Sequence, residues 1–116
     1  MEINQDCISV LKEHESIIEE SILLNQYSFW VKDIPFKISV KTYLDIYRDN
    51  DPYRFALSHY LHSPTQAGCY TPSAPFASNE SIALSMALDA IFNFYKGAKN
   101  EGHSPKESWF KANEDF

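Results

Sequence analysis

The chain is poor in glycine and cysteine and has no long apolar run, and these absences exclude several classes of protein. Only three of its 116 residues are glycine, and no G-x-x-x-x-G-K run occurs, which excludes a phosphate-binding loop of that kind. No uncharged apolar stretch approaches the ~18 residues of a membrane span. The first residues lack the basic and apolar segments of a signal peptide. We therefore expect a cytoplasmic protein that does not bind a membrane, with Cys7 and Cys69 as free thiols.

Basic side chains are also scarce. Ten lysines and arginines face 16 aspartates and glutamates, which gives a formal net charge of −6 at pH 7. This balance opposes binding to a polyanion, so we expect no nucleic-acid partner. The sequence is nevertheless 44% hydrophobic and 15% aromatic, enough to fill a core, and its low net charge for that hydrophobicity excludes disorder. The length suits a single domain over residues 1–116.

The first predicted element is a helix from about Asn4 to Leu23. Apolar and neutral residues recur there at spacings of three and four, as on one face of a helix: Cys7, Val10, Leu11, His14, Ile17, Ile18 and Ile22. The opposite face carries Asp6, Glu13 and Glu20 at heptad spacing, with Glu15 and Glu19 beside them. Residues 1–31 hold six acids and one base, a net −5 of the total −6.

Two strands and a second helix are expected next. Residues 27–32 are aromatic and β-branched, and Asp33-Ile34-Pro35 forms a turn. Alternating polarity from Phe36 to Ile46 predicts a strand, although Thr42 is also a candidate cap for a short helix through Tyr47. Asp51-Pro52 is a typical helix start, so we predict a helix to about His62, with its buried side formed by Tyr53, Leu57, Tyr60 and Leu61.

The second half of the chain contains an uncharged segment and a long helix. Residues 63–79 have no charged side chain and include three prolines, with Tyr70 and Phe76 as the aromatic residues. A helix from about residue 79 to 100 follows, capped by Ser78 or Asn79 and carrying a broad band of small and apolar residues. A last turn carries Trp109 and Phe110. The fold class is therefore α+β, with three to four helices packed on a small antiparallel sheet.

Candidate chemical groups gather in the middle of the chain. His59 and His62 are spaced to share one face of the predicted helix, and Cys69 follows seven residues later. Together with Arg54 they form an alternative ligand pocket, in which Cys69 and a histidine would be a nucleophile and its base. The set lacks the second cysteine of a typical zinc site, so we expect no metal and no cofactor.

The charge distribution indicates a second kind of site. An acidic face steers a protein toward a basic partner and covers a basic substrate-binding surface on it. We therefore predict a partner-binding surface composed of the five acidic residues of the first element and the two aromatic residues of the uncharged segment: Asp6, Glu13, Glu15, Glu19, Glu20, Tyr70 and Phe76.

In size, in acidity and in its acidic run Asp6…Glu13…Glu20, the chain resembles the bacterial immunity proteins of contact-dependent or polymorphic toxin systems. The resemblance implies a small cytoplasmic α+β protein that binds one basic toxin or effector domain and masks its active site. Such a protein is an inhibitor and not an enzyme. Two alternatives remain at this stage: a ligand-binding module or enzyme centred on residues 59–70, and a homodimeric structural subunit joined through the helix at 79–100. The protein is expected to be a monomer or a homodimer.

Overall fold

A computed structural model describes residues 5–116 as two α-helices, a four-stranded antiparallel sheet and a separate two-stranded sheet. The elements in chain order are α1 (Gln5–Glu13), β1 (Ser21–Trp30), β2 (Lys37–Asp45), β3 (Tyr53–Leu57), β4 (His59–Leu61), β5 (Phe76–Ala77), α2 (Glu80–Asn100), a 3-10 turn (Glu107–Trp109) and β6 (Phe110–Ala112). The α+β class is confirmed, but the prediction of three to four helices is wrong because residues 5–116 contain two.

The larger sheet has the strand order β1-β2-β3-β5, and every neighbouring pair is antiparallel. The turn that joins β1 to β2 places Asp33 at a φ of 66°, and the register then pairs Trp30 with Lys37 and, beyond a bulge, Ser21 with Asp45. The predicted alternation in β2 is confirmed, since Ile38, Val40 and Thr42 are all fully buried. Thr42 therefore begins no helix.

The long helix α2 covers one face of this sheet, as predicted. Its alanines lie in the interface, and Ala83, Ala87 and Ala98 are fully buried. Ile91 and Tyr95 complete its buried side. The second sheet pairs β4 with β6 and brings the buried Trp109 and Phe110 into the same core. Because the small residues of α2 are packed within the chain, this face of the helix is not available as an interface with a second copy.

Asn79 and not Ser78 caps α2. Its side-chain oxygen accepts a hydrogen bond of 2.9 Å from the Ile82 N–H and another from the Ser81 hydroxyl. Asn79→Ala is therefore expected to lower the free energy of unfolding by about 1 kcal/mol in a urea titration. Ser78→Ala is the matched control and is expected to change it by less than about 0.5 kcal/mol. Equal losses in the two variants would contradict this assignment of the cap.

The first predicted helix is too long. α1 ends at Glu13, and residues 21–23 belong to β1. The predicted apolar stripe is also wrong, because Val10 and Ile18 are exposed and the buried residue of α1 is Ile8. The isoleucine spacing fitted a helix, but from Ser21 onward the backbone pairs with β2. Asn4 lies outside the described residues.

The predicted helix from Asp51 to His62 is wrong. Asp51 has a positive φ of 47°, so its backbone is in the left-handed region and does not begin a helix. Residues 53–61 then form β3 and β4. Phe55 and Leu57 are buried on one face of β3, whereas the predicted buried side contains Leu57 but not Phe55. Tyr53 and Tyr60 are only partly buried.

Candidate functional site

The acidic residues of the first 20 positions do not lie on one helix. Asp6 and Glu13 belong to α1, whereas Glu15, Glu19 and Glu20 lie in the segment that leads from α1 to β1. All five are exposed. The predicted continuous acidic helix face is therefore replaced by two shorter acidic surfaces, one of which lies beside the sheet.

That second surface is an open groove of about 380 Å³, which we call the acidic groove. It is lined by Ile18, Glu19, Glu20, Asp45, Tyr47, Arg48 and Phe76. A hydrogen bond of 3.1 Å from the Ile46 N–H to the Glu20 carbonyl fixes the segment before β1 against the end of β2. The groove thus brings together three of the predicted partner-binding residues, Glu19, Glu20 and Phe76.

The two arginines of the chain are held at this end of the sheet. Arg54 Nε lies 3.2 Å from an Asp45 carboxylate oxygen, and its guanidinium lies 4.2 Å above the Tyr43 ring. The Ser21 hydroxyl joins this pair, accepting from Arg54 and donating to Asp45. The guanidinium carbon of Arg48 lies 3.7 Å from the centroid of the Phe76 ring. Arg54 is therefore a structural residue that neutralises Asp45.

Glu19 and Glu20 are left as the anionic groups of the acidic groove. Arg54–Asp45 is the one ion pair within residues 5–116, so neither glutamate is paired with a cation there. Glu20 accepts a hydrogen bond of 2.9 Å from the Ser21 N–H, which fixes its carboxylate. Ile18 beside them is 84% exposed. Two carboxylates beside an exposed apolar side chain suit a cationic side chain of a partner, whereas the Phe76 ring is already covered by Arg48.

Tyr70 lies at a different site, a cleft of about 500 Å³ between the uncharged segment and α2, which we call the aromatic cleft. It is lined by Phe55, Tyr70, Pro72, Met86, Asp89, Ala90, Asn93 and Phe94. The rings of Tyr70 and Phe94 meet edge to face with their centroids 5.5 Å apart. Both remain exposed, at 38% and 43%. A cleft of this volume, mostly apolar with a few polar groups, is typical of a binding site.

The wall of the aromatic cleft is ordered by Gln66. Its side chain accepts a hydrogen bond from the Ser63 N–H at 2.8 Å and donates to the Leu61 carbonyl at 3.1 Å. The Tyr70 N–H also donates to the Leu61 carbonyl. These hydrogen bonds hold residues 63–70 against the end of β4. The segment is uncharged, but its polar groups are hydrogen-bonded.

The residues of the predicted ligand pocket have separate partners. The His59 ring stacks on Phe36 at 4.9 Å and its Nδ1 is 2.8 Å from the Ser58 hydroxyl, and burial lowers the pKa of this imidazole. His62 Nε2 lies 3.1 Å from the Gln66 carbonyl, and Cys69 is an exposed free thiol. None of these residues lines either the acidic groove or the aromatic cleft. Within residues 5–116, no group of three or more His, Cys, Asp or Glu side chains is arranged to hold a metal ion.

A polar cluster around Glu80 was not predicted from the sequence. One carboxylate oxygen of Glu80 accepts hydrogen bonds from Thr42 Oγ1 at 2.6 Å, from Asn25 Nδ2 at 2.8 Å and from the Tyr27 hydroxyl at 3.3 Å. The hydrogen bonds from Asn25 and Thr42 lower the pKa of Glu80, whereas burial and the Glu80 charge raise the pKa of Tyr27. The cluster fixes the first turn of α2 on β1 and β2, and it thereby positions one wall of the aromatic cleft.

Tyr70 is the one cleft residue that was predicted as a site residue, and Asp89 and Phe94 are the most exposed charged and aromatic groups among those that were not. Phe94 belongs by its spacing to the broad apolar band predicted for the helix at 79–100, but its side chain is exposed. Asp89 could have indicated this site from the sequence, because it is the one charged residue between Glu80 and Lys96 of the helix.

Comparisons with known proteins add no relative to this description. No protein-family model, curated protein or solved structure matches the chain. Among residues 5–116, no helix is both long enough and apolar enough to cross a membrane.

Proposed function

We propose that this protein binds a basic toxin or effector domain and neutralises it by masking its active or substrate-binding surface. The single observation that carries the proposal is the acidic groove, where Glu19 and Glu20 lie unpaired with any cation of residues 5–116 beside the exposed Ile18. Interfaces of this kind combine charge, which selects the partner and speeds encounter, with apolar and aromatic contacts that supply affinity.

The overall charge supports the same proposal. A net charge of −6 repels nucleic acid and attracts cationic protein surfaces. The excess is concentrated in the first 31 residues, which include the acidic groove's two glutamates. A protein that covers the nucleic-acid-binding surface of a nuclease requires this distribution, since it must imitate the charge of the substrate that it displaces. An immunity protein in the bacterial cytoplasm is the function that we propose on these grounds.

The test is capture of the partner with charge-changed variants. Glu19→Lys combined with Glu20→Gln changes the groove charge by three, and the amide oxygen introduced at position 20 still accepts the hydrogen bond from the Ser21 N–H. The native protein, immobilised in lysate of the cells that produce it, is expected to retain one basic protein and to inhibit that protein's activity at a 1:1 ratio. The groove variant is expected to bind it at least about tenfold more weakly.

The matched control is Glu101→Lys combined with Glu114→Gln, which makes the same change of charge at two exposed positions outside the groove. The control is expected to retain the partner at close to native affinity. The proposal is contradicted if the native protein retains no basic protein whose activity it inhibits. Equal weakening in the two variants would assign the effect to net charge and would remove the acidic groove from the proposal.

A further inference from the structure

The face of α2 that borders the aromatic cleft combines apolar and polar groups in one row. Met86, Ala90 and Phe94 follow one another at intervals of four residues, and Asp89 and Asn93 lie beside them at the same interval. Phe55 is buried, and the loop that carries Tyr70 closes the opposite side. Asp89 and Phe94 are five residues apart on α2, and both line the cleft, so a carboxylate and an exposed aromatic ring border the same space.

Asp89 is the one charged group in the lining of this cleft. Its carboxylate has no hydrogen bond or ion pair within residues 5–116. The opposite wall supplies no cation, because residues 63–79 contain no charged side chain. A cation that enters the aromatic cleft therefore meets one unpaired carboxylate and no basic side chain of the lining.

The aromatic rings of the cleft are also free of cations. Elsewhere the chain's own basic side chains lie over its rings: Arg48 over Phe76, Arg54 over Tyr43, Lys41 over Phe116, Lys37 over Trp30 and Lys99 over Tyr95. Over the described part of the chain, no lysine or arginine lies over Tyr70 or Phe94 in this way. Cations are attracted to the faces of aromatic rings, most strongly where the site is partly desolvated.

We propose that the aromatic cleft is a second contact site for the partner and receives an arginine side chain of it. The guanidinium pairs with the Asp89 carboxylate and lies against the exposed Tyr70 and Phe94 rings, while the aliphatic part of the side chain packs on Met86. Arginine fits better than lysine, because its planar, weakly hydrated head group stacks on rings and binds a carboxylate through two parallel hydrogen bonds. This inference rests on the proposed function, since it describes how a basic partner is bound.

The test uses a probe in place of the partner. Nα-acetyl-L-arginine amide is titrated into the isotope-labelled protein, and the amide signals are followed by NMR. Saturable shifts are expected at residues lining the aromatic cleft, with a dissociation constant of about 30 mM or weaker, as one exposed ion pair and one ring contact provide. Nα-acetyl-L-citrulline amide has the same shape without the charge and is expected to bind at least about threefold more weakly.

Two variants locate the site. Asp89→Asn is expected to weaken binding of the arginine probe at least about threefold, and Phe94→Ala is expected to weaken it by a similar factor. Glu114→Gln removes one charge at an exposed position outside the cleft and is expected to leave binding unchanged. Absence of saturable shifts at the cleft, or equal binding of the arginine and citrulline probes, would overturn the inference. The inference would also be overturned if the Asp89→Asn variant bound the arginine probe as tightly as the native protein does. None of these results alters the test of the acidic groove, which uses other residues and the partner itself.

Discussion

Replacing Ile91 by alanine is expected to lower the free energy of unfolding by about 3 kcal/mol. Ile91 lies on the sheet side of α2 and is only 1% exposed, so the substitution removes buried surface and leaves a cavity. The loss is a large fraction of the ~5–15 kcal/mol that stabilises a domain. It is measured by urea unfolding at pH 7, with the slope of the transition checked for two-state behaviour.

Ile82→Ala is the matched control, because it makes the same substitution on the same helix at a residue that is 43% exposed. It is expected to lower the free energy of unfolding by less than about 1 kcal/mol. Both variants replace isoleucine by a better helix former, so the difference between them reports mainly burial. Similar losses at the two positions would show that α2 does not pack on the sheet by the face described above.

Replacing Glu80 by alanine is expected to cost about 2 kcal/mol at pH 7. The variant leaves the buried Thr42 hydroxyl and the Asn25 amide without their carboxylate acceptor, and it removes a negative charge from the first turn of α2. Glu101→Ala, at the other end of the same helix, is the control. Glu101 is exposed and its side chain has no described partner, so we expect a change of less than about 0.5 kcal/mol.

The cost of Glu80→Ala is also expected to depend on pH. The folded protein lowers the pKa of Glu80 below its ordinary value of 4.5, so its stabilising contribution is fully present above that value. It is lost as the pH falls through the lowered pKa, because the unfolded chain then binds a proton more readily than the folded one. The free energies of unfolding of the native protein and the Glu80→Ala variant are measured at pH 7 and at progressively lower pH. The difference between them is expected to shrink as the pH falls. A difference in stability that is independent of pH would contradict the assigned role of the carboxylate.

The sequence predicted those elements whose local signals agree with their packing. α2 has a long apolar band, a cap at Asn79 and lysines near its end, and each of these favours the same helix. The alternation in β2 likewise corresponds to one buried and one exposed face, and Asp33 marks the turn before it. In both cases a single periodicity accounts for the buried residues.

The sequence was misleading where a segment fitted two periodicities. Leu57 and Leu61 are four residues apart, as in a helix, but Phe55 and Leu57 alternate as in a strand. Asp51-Pro52 favoured the helix locally. The segment forms strands because β3 pairs with β2 and β4 pairs with β6, both antiparallel. This pairing depends on residues distant in sequence.

The composition of the two candidate sites was predicted only in part, and their arrangement was not predicted. Glu19, Glu20, Phe76 and Tyr70 were predicted to bind a partner. Their spacing in the sequence does not show that the first three share the acidic groove while Tyr70 lies in the aromatic cleft. The grouping depends on where β5 joins the edge of the sheet, and a strand of two residues leaves almost no sequence signal. Arg54 was one of the predicted ligand residues, yet its partners Asp45 and Tyr43 became evident only from the register of β2 and β3.

The most direct test of the account is the association rate of the captured basic partner as a function of salt. For the native protein, we expect the rate to fall about tenfold between low (~50 mM) and high (~500 mM) NaCl, because salt screens the attraction to the acidic groove. At low salt, the variant that combines Glu19→Lys with Glu20→Gln should associate about as slowly as the native protein at high salt. The control that combines Glu101→Lys with Glu114→Gln should stay close to native. A native rate that does not change with salt, or equal slowing in both variants, would contradict the proposal that this groove recognises a basic partner.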